Sequence, residues 1–123
     1  MDLTSGTIVE LAGARVLVAA IDVGAPYDAG TLIGDALSAE AAVVAIPVER
    51  LSPAFLDLST RLAGEVLQKF VNYGRRVAIA GDVGAAVSAS QALADFVRES
   101  NRGRHVWFVA DLDALAARLE AGG

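Results

Sequence analysis

The sequence predicts an α/β fold: a single domain, residues 1–123, built on a mainly parallel sheet of about five strands with an N-terminal antiparallel hairpin and about four helices. Three observations carry that expectation. Short Val-, Ile- and Ala-rich runs alternate with longer segments of helical periodicity, as crossovers between parallel strands require. The first two runs are joined by a connection too short for a crossover, so they pair as a hairpin. A carboxylate also closes almost every run: Asp22 after Val16 to Ile21, Glu49 after Val43 to Val48, Asp82 after Val77 to Gly81 and Asp111 after Val106 to Ala110.

The hairpin is expected from Thr7 to Leu11 and Arg15 to Ala20, around Ala12-Gly13-Ala14. After a loop containing Pro26, Leu32, Ile33, Ala36 and Leu37 fall on one stripe and predict a helix over 31–39, weakened by Gly30 and Gly34. The unbroken apolar run 42–48 predicts a strand covered on both faces. Ser52-Pro53 then opens the longest helix, with Ser as N-cap and Pro at the first position, where its missing N–H is not needed. Phe55, Leu58, Leu62, Val66 and Phe70 form its core stripe, and Gly74 ends it. A strand follows over 76–81. Ser88 with Gln91 reads as a capping box for a helix that buries Ala92, Leu93, Phe96 and Val97, with Gly103 just past its end. His105 to Val109 is the last strand, and Asp111 caps a final helix carrying Leu112, Leu115 and Leu119. Asp22-Val23-Gly24-Ala25 recurs as Asp82-Val83-Gly84-Ala85, each after a strand, but four residues of such composition do not establish a duplication.

Composition removes whole classes of chemistry. Without cysteine there is no disulfide, thiolate nucleophile or cysteine-ligated metal, and with His105 as the only histidine most catalytic triads go too. Ser52 has no base beside it in the motif, so it does not read as a nucleophile. A net charge of −5 and a pI near 4.7 oppose a general nucleic-acid binder. The hydrophobic fraction of 54% is high, yet no run approaches the roughly 20 residues of a membrane span. The first ten residues carry Asp2 and Glu10 and no basic stretch, unlike a signal peptide, so a cytoplasmic protein is expected.

The carboxylates at the strand ends have two readings. If Asp22, Glu49, Asp82 and Asp111 converge on one rim, they suit Mg²⁺ or a Mg²⁺-bridged phosphate, with Asp82 between Gly81 and Gly84 as the central ligand. Alternatively each caps the helix that follows it. Arg15, Arg75, Arg76, Arg102 and Arg104 gather at the opposite edge, where a helix macrodipole favours them and where they also suit phosphate or an acidic partner. No phosphate-loop lysine is present, since the only lysine, Lys69, lies in a helix.

From Glu49 onward the text resembles a small bacterial domain family without assigned activity. The resemblance rests on Glu49-Arg50-Leu51-Ser52, on Gly64-Glu65-Val66-Leu67-Gln68-Lys69-Phe70 with Tyr73, on Ala78-Ile79-Ala80-Gly81-Asp82 and on Phe96-Val97-Arg98-Glu99-Ser100-Asn101. In its order of strands and helices the chain is also similar to STAS-like domains, the group of the anti-sigma-factor antagonists. That resemblance implies a regulatory serine at the start of the helix after a central strand, a position matched by Ser52. The antagonists show Asp-Ser followed by a small residue and Gly, whereas this chain has Leu51-Ser52-Pro53-Ala54. The function expected is a non-enzymatic, STAS-like regulatory or protein-interaction domain, binding a protein partner or a second copy of itself. Its contacts would lie at Ser52, Arg61, Glu65, Gln68, Lys69 and Tyr73, with Glu99 and Asn101 at the end of the next helix. Gln68 and Tyr73 would otherwise make buried hydrogen bonds. The alternative is a small Mg²⁺-dependent or phosphate-ligand-binding protein using the acidic rim.

Overall fold

The computed structural model describes residues 2–122. Five strands form one sheet in strictly sequential order: β1 (Gly6–Leu11), β2 (Ala14–Ala19), β3 (Val43–Pro47), β4 (Arg76–Ala80) and β5 (Val106–Val109). β1 and β2 are antiparallel, in register from Gly6 opposite Ala19 to Leu11 opposite Ala14, and the other pairs are parallel. The hairpin loop is therefore two residues, Ala12-Gly13, both with positive φ (51° and 81°), the backbone whose twist matches that of the flanking strands. Ala14 belongs to β2 and not to the turn.

The α/β architecture agrees with the sequence, but the described residues contain six helices where about four were expected: α1 (Pro26–Ser38), α2 (Pro53–Leu56), α3 (Leu62–Asn72), α4 (Gly84–Ala89), α5 (Gln91–Arg102) and α6 (Leu112–Glu120). The expected long helix from Ser52 is broken. After α2 the Asp57 carboxylate accepts hydrogen bonds from the Ser59 N–H (3.1 Å) and hydroxyl (2.6 Å), a local bond that competes with the helical ladder. These bonds, the hydroxyl's first, hold the Asp57 pKa below its ordinary 3.8. A 3₁₀ turn follows at Leu58–Thr60, and Arg61 takes a left-handed φ of 66° before α3 restarts.

α1 begins at Pro26, five residues before the predicted start at Thr31. Pro26 occupies the first helical turn, and Asp28 closes the N-terminus by accepting from the N–H groups of Gly24 (2.8 Å) and Ala25 (3.0 Å). The N-cap of α5 is Ser90, whose hydroxyl accepts from the Leu93 N–H at 3.1 Å; Ser88, the predicted cap, lies inside α4.

Sequential order fixes how the helices are layered. Each parallel crossover advances one strand in the same direction, so right-handed connections place α1, α3 and α5 on one face. There Leu17, Val44, Ile46 and Ile79 of the sheet meet Leu32, Val66 and Phe70 of the helices, and Phe96 packs edge-on against Phe108. The other face, with Val16, Val43, Ala45, Ala78 and Trp107, is covered by Leu115 and its neighbours on α6 alone. No helix among the described residues is long and apolar enough to cross a membrane.

The segment before β1 is fastened to α1. Ser5 is fully buried, and its N–H and hydroxyl both donate to Asp35 Oδ2, the N–H at 2.9 Å. Asp35→Ala leaves both donors in the interior without an acceptor. It is expected to cost about 2–4 kcal/mol in urea denaturation, whereas Asp35→Asn, which keeps one acceptor, costs less. A loss below 1 kcal/mol for Asp35→Ala would mean that the fastening contributes little.

Candidate functional site

The C-terminal edge of the sheet is the first place to look for function in an open α/β fold, and the predicted carboxylates do lie along it. They do not form one cluster. Asp22 is exposed and pairs with Arg50 at 3.2 Å, a solvent-screened contact of small energetic weight. Asp82 accepts from the Gly84 N–H at 2.7 Å, at the start of α4, and Asp111 accepts from the Ala114 N–H at 2.8 Å as the N-cap of α6. Glu49 lies exposed on a 3₁₀ turn, Val48–Arg50. Among the described residues no three Asp, Glu or His side chains are grouped so as to hold one metal ion.

Two hollows flank the ends of β4 and β5. One, of about 310 Å³, opens on the α5 side beside Asp82, Val97 and Phe108. The other, of about 330 Å³, opens on the α6 side beside Val18, Pro47 and Leu112, with Glu49 and Asp111 on its rim. Gly81 and Ala110 line both, so the chain at these two residues is the wall between them. The structure thus brings Glu49 and Asp111 to one hollow and gives Asp82 to the other. Sequential strand order also removes the crevice that a reversal of winding direction creates in doubly wound sheets, where such folds concentrate their ligands.

The predicted contact residues separate into two groups. Arg61, Glu65 and Gln68 are exposed on the outer side of α3, Lys69 is half-buried and Tyr73 is 60% exposed. Gln68 donates to Asn72 Oδ1 at 2.8 Å on the surface, so neither it nor Tyr73 is a buried polar group of the core. Glu99 is exposed and pairs with Arg102 at 3.3 Å. Asn101 is a structural cross-link: its Oδ1 accepts from the Phe108 N–H at 2.7 Å, and Arg118 donates to its main-chain carbonyl. It ties α5 to β5 and α6.

Ser52 stands at the N-cap of α2, and its carbonyl accepts from the Phe55 N–H, but its hydroxyl makes no capping bond. The oxygen is buried without a partner among the described residues. Backbone pairing holds it there: the Val23 N–H donates to the Arg50 carbonyl (2.7 Å) and the Ser52 N–H donates to the Val23 carbonyl (3.1 Å). The expectation that capping accounts for this serine is thereby corrected.

Sequence reasoning placed Trp107 in the core and missed its neighbours. The indole is fully buried, donates from Nε1 to the Gly103 carbonyl at 2.9 Å, and carries the guanidinium carbons of Arg118 and Arg76 at 4.3 and 4.7 Å from its ring centroid. Two cation-π contacts thus meet on one buried ring of the α6 face.

A family profile described as a domain of unknown function (DUF4180) matches residues 12–119. The chain belongs to the DUF4180 family. The match runs from the hairpin turn to the last turn of α6, so it takes in all three parallel crossovers, Asn101, Trp107 and Arg118, and leaves out β1. Comparison with curated proteins and with solved structures returned no match. The DUF4180 assignment agrees with the expected small family without assigned activity and does not extend to STAS-like domains.

Proposed function

We propose that this DUF4180 domain is a non-enzymatic regulatory or protein-interaction module, STAS-like in chain order, whose protein partner docks on the outer surface of the α1/α3 layer. The observation that carries this reading is that the three exposed large hydrophobic side chains among the described residues, Tyr27 (73%), Leu37 (44%) and Tyr73 (60%), all belong to that layer. Along α1 the exposed positions Tyr27, Gly30, Thr31, Gly34, Leu37 and Ser38 form one stripe without a charge. The two acids of α1 are turned to other work, Asp28 at the helix start and Asp35 on Ser5.

Gly30 and Gly34 strengthen the reading. A Cβ added at either meets nothing within 4 Å, so the fold does not require glycine there. Each costs the helix about 1 kcal/mol relative to alanine. A flat surface that a partner approaches closely is a reason to keep them. On α3, Arg61, Glu65 and Gln68 supply the polar rim that protein interfaces have around an apolar centre. The Mg²⁺ reading of the acidic rim has less support, because Asp82 turns onto the Gly84 N–H, Asp111 caps α6 and Asp22 pairs with Arg50.

Gly30→Ala with Gly34→Ala is expected to stabilise the isolated domain by about 1–2 kcal/mol, read as a rise in thermal midpoint. Gly34→Leu in the same background fills the stripe. Affinity capture from the source cell, with sedimentation to detect self-association, is expected to return a partner with the native chain and lose it with Gly34→Leu or Tyr27→Ala. Capture and sedimentation unaffected by either substitution would overturn the proposed surface.

A further inference from the structure

We propose that the partner of the α1/α3 surface is a second copy of this chain, paired about a two-fold axis with the two α1 helices antiparallel. The inference rests on the interaction reading and names its partner.

The exposed stripe of α1 has a symmetric order of sizes. Tyr27 stands at one end and Leu37 at the other, with Gly30 and Gly34 between them, all centred on the level of Leu32. A second α1 turned end for end about that level sets Gly30 opposite Gly34 and Tyr27 opposite Leu37, so the patch is complementary to itself. A Cβ at either glycine would project into open space, and that is the space a closely crossing helix takes.

α3 completes the match. Both helices lead into strands of the same parallel run, so they lie side by side and point the same way. Arg75 joins their C-terminal ends, donating to the Tyr73 carbonyl at 3.4 Å and to the Ala41 carbonyl at 3.1 Å. Leu37 and Tyr73 therefore stand at one end of the layer and Tyr27 at the other. Each copy presents one aromatic knob, 73% exposed. About 15 Å further along α1 it presents two apolar walls, Leu37 and Tyr73, to receive the knob of the other copy. The two-fold axis makes that contact twice, and it covers all three exposed large hydrophobic side chains of the described residues.

Charge agrees with this arrangement. A net charge of −5 makes two copies repel over most orientations. The α1 stripe is where that repulsion is weakest, since Asp28 is held by the Gly24 and Ala25 N–H groups and Asp35 by Ser5. A face two helices wide and about 20 Å long is at the small end of specific interfaces, so dissociation in the micromolar range is expected.

The test is sedimentation of the full chain from about 1 to 500 μM. Its average mass is expected to climb from 12.6 kDa toward twice that value. Tyr27→Ala is expected to weaken the dimer at least about tenfold without moving the thermal midpoint of the monomer, since the ring is exposed. Gly30→Ala with Gly34→Ala separates binding from folding: the monomer melts higher, yet the dimer is weaker because the methyl groups hold the backbones apart. The chain has no cysteine, so single cysteines report the direction of pairing. Thr31 lies one residue from the centre, and its two copies come within the roughly 7 Å between Cα atoms that a disulfide needs. The two copies of Ser38 are about 18 Å apart along the helices. Mild oxidation is therefore expected to cross-link Thr31→Cys and leave Ser38→Cys monomeric; the reverse would overturn the antiparallel pairing. A chain that stays monomeric throughout would overturn the second copy. The α1/α3 surface would survive that result only if affinity capture still returned a protein partner that Tyr27→Ala loses. A dimer whose dissociation constant neither Tyr27→Ala nor Gly34→Leu changes would overturn pairing through this face.

Discussion

Trp107→Ala is expected to cost about 3–5 kcal/mol, a large part of the 5–15 kcal/mol that holds a typical domain together. The substitution empties the centre of a face that only one helix covers, so the surroundings have little freedom to collapse into the space. It also removes the ring beneath Arg76 and Arg118 and the donor to the Gly103 carbonyl. Urea denaturation followed by far-ultraviolet circular dichroism measures the loss. Trp107→Phe keeps a ring but not the Nε1 donor and is expected to lose about 1–3 kcal/mol. A loss below 1 kcal/mol for Trp107→Ala would mean that the α6 face is not cooperatively packed.

Gly81→Ala carries the second large effect. Gly81 has a φ of 145°, and a Cβ built on it falls 2.6 and 2.7 Å from Val48 Cγ1 and Cβ. Strain of that backbone conformation and overpacking add, giving about 3 kcal/mol or more. Gly74→Ala is the reference: its φ is also positive, at 66°, but a Cβ there meets nothing within 4 Å, so only the smaller conformational cost of about 1 kcal/mol remains. Truncating the obstacle with Val48→Ala in the Gly81→Ala background is expected to recover part of the difference, measured as a double-mutant cycle. Equal losses for Gly81→Ala and Gly74→Ala would show that Val48 yields freely. Because Gly81 lines both hollows at the C-terminal edge, the same substitution reports on how rigidly the wall between them is held.

The fold class was legible because the chain changes its hydrophobic period at each element, and the hairpin because no crossover fits between β1 and β2. The break between α2 and α3 was not legible from periodicity. Phe55, Leu58, Leu62, Val66 and Phe70 keep their spacing across the break, and only the local competition of Asp57 with the ladder interrupts it. The start of α1 was hidden for a related reason: Gly30 and Gly34 lower helix propensity, whereas the Pro26 and Asp28 signals act on the backbone before the stripe begins.

At the candidate sites the residue types were readable and their partners were not. Asp111 was identified as a cap from its place before an apolar stripe, as the structure has it. Trp107 was placed in the core, yet its arginines come from β4 and α6 and meet only when the sheet assembles. Asn101 carried a family motif whose purpose, bonding the Phe108 N–H, appears only once β5 lies beside α5.

The sequential order of the strands also sets a direction of assembly. Each new strand adds beside the last, and the helix preceding β3, β4 or β5 is already available to cover the first face as that strand arrives. During synthesis the sheet can therefore grow from its N-terminal side, one βα unit at a time. Its second face has no such running cover: Val16, Val43, Ala45 and Ala78 wait in water until Trp107 and then Leu115 have left the ribosome. The last helix is thus the step that converts a growing, one-sided sheet into a closed domain, and the nascent chain is most exposed to aggregation just before it arrives.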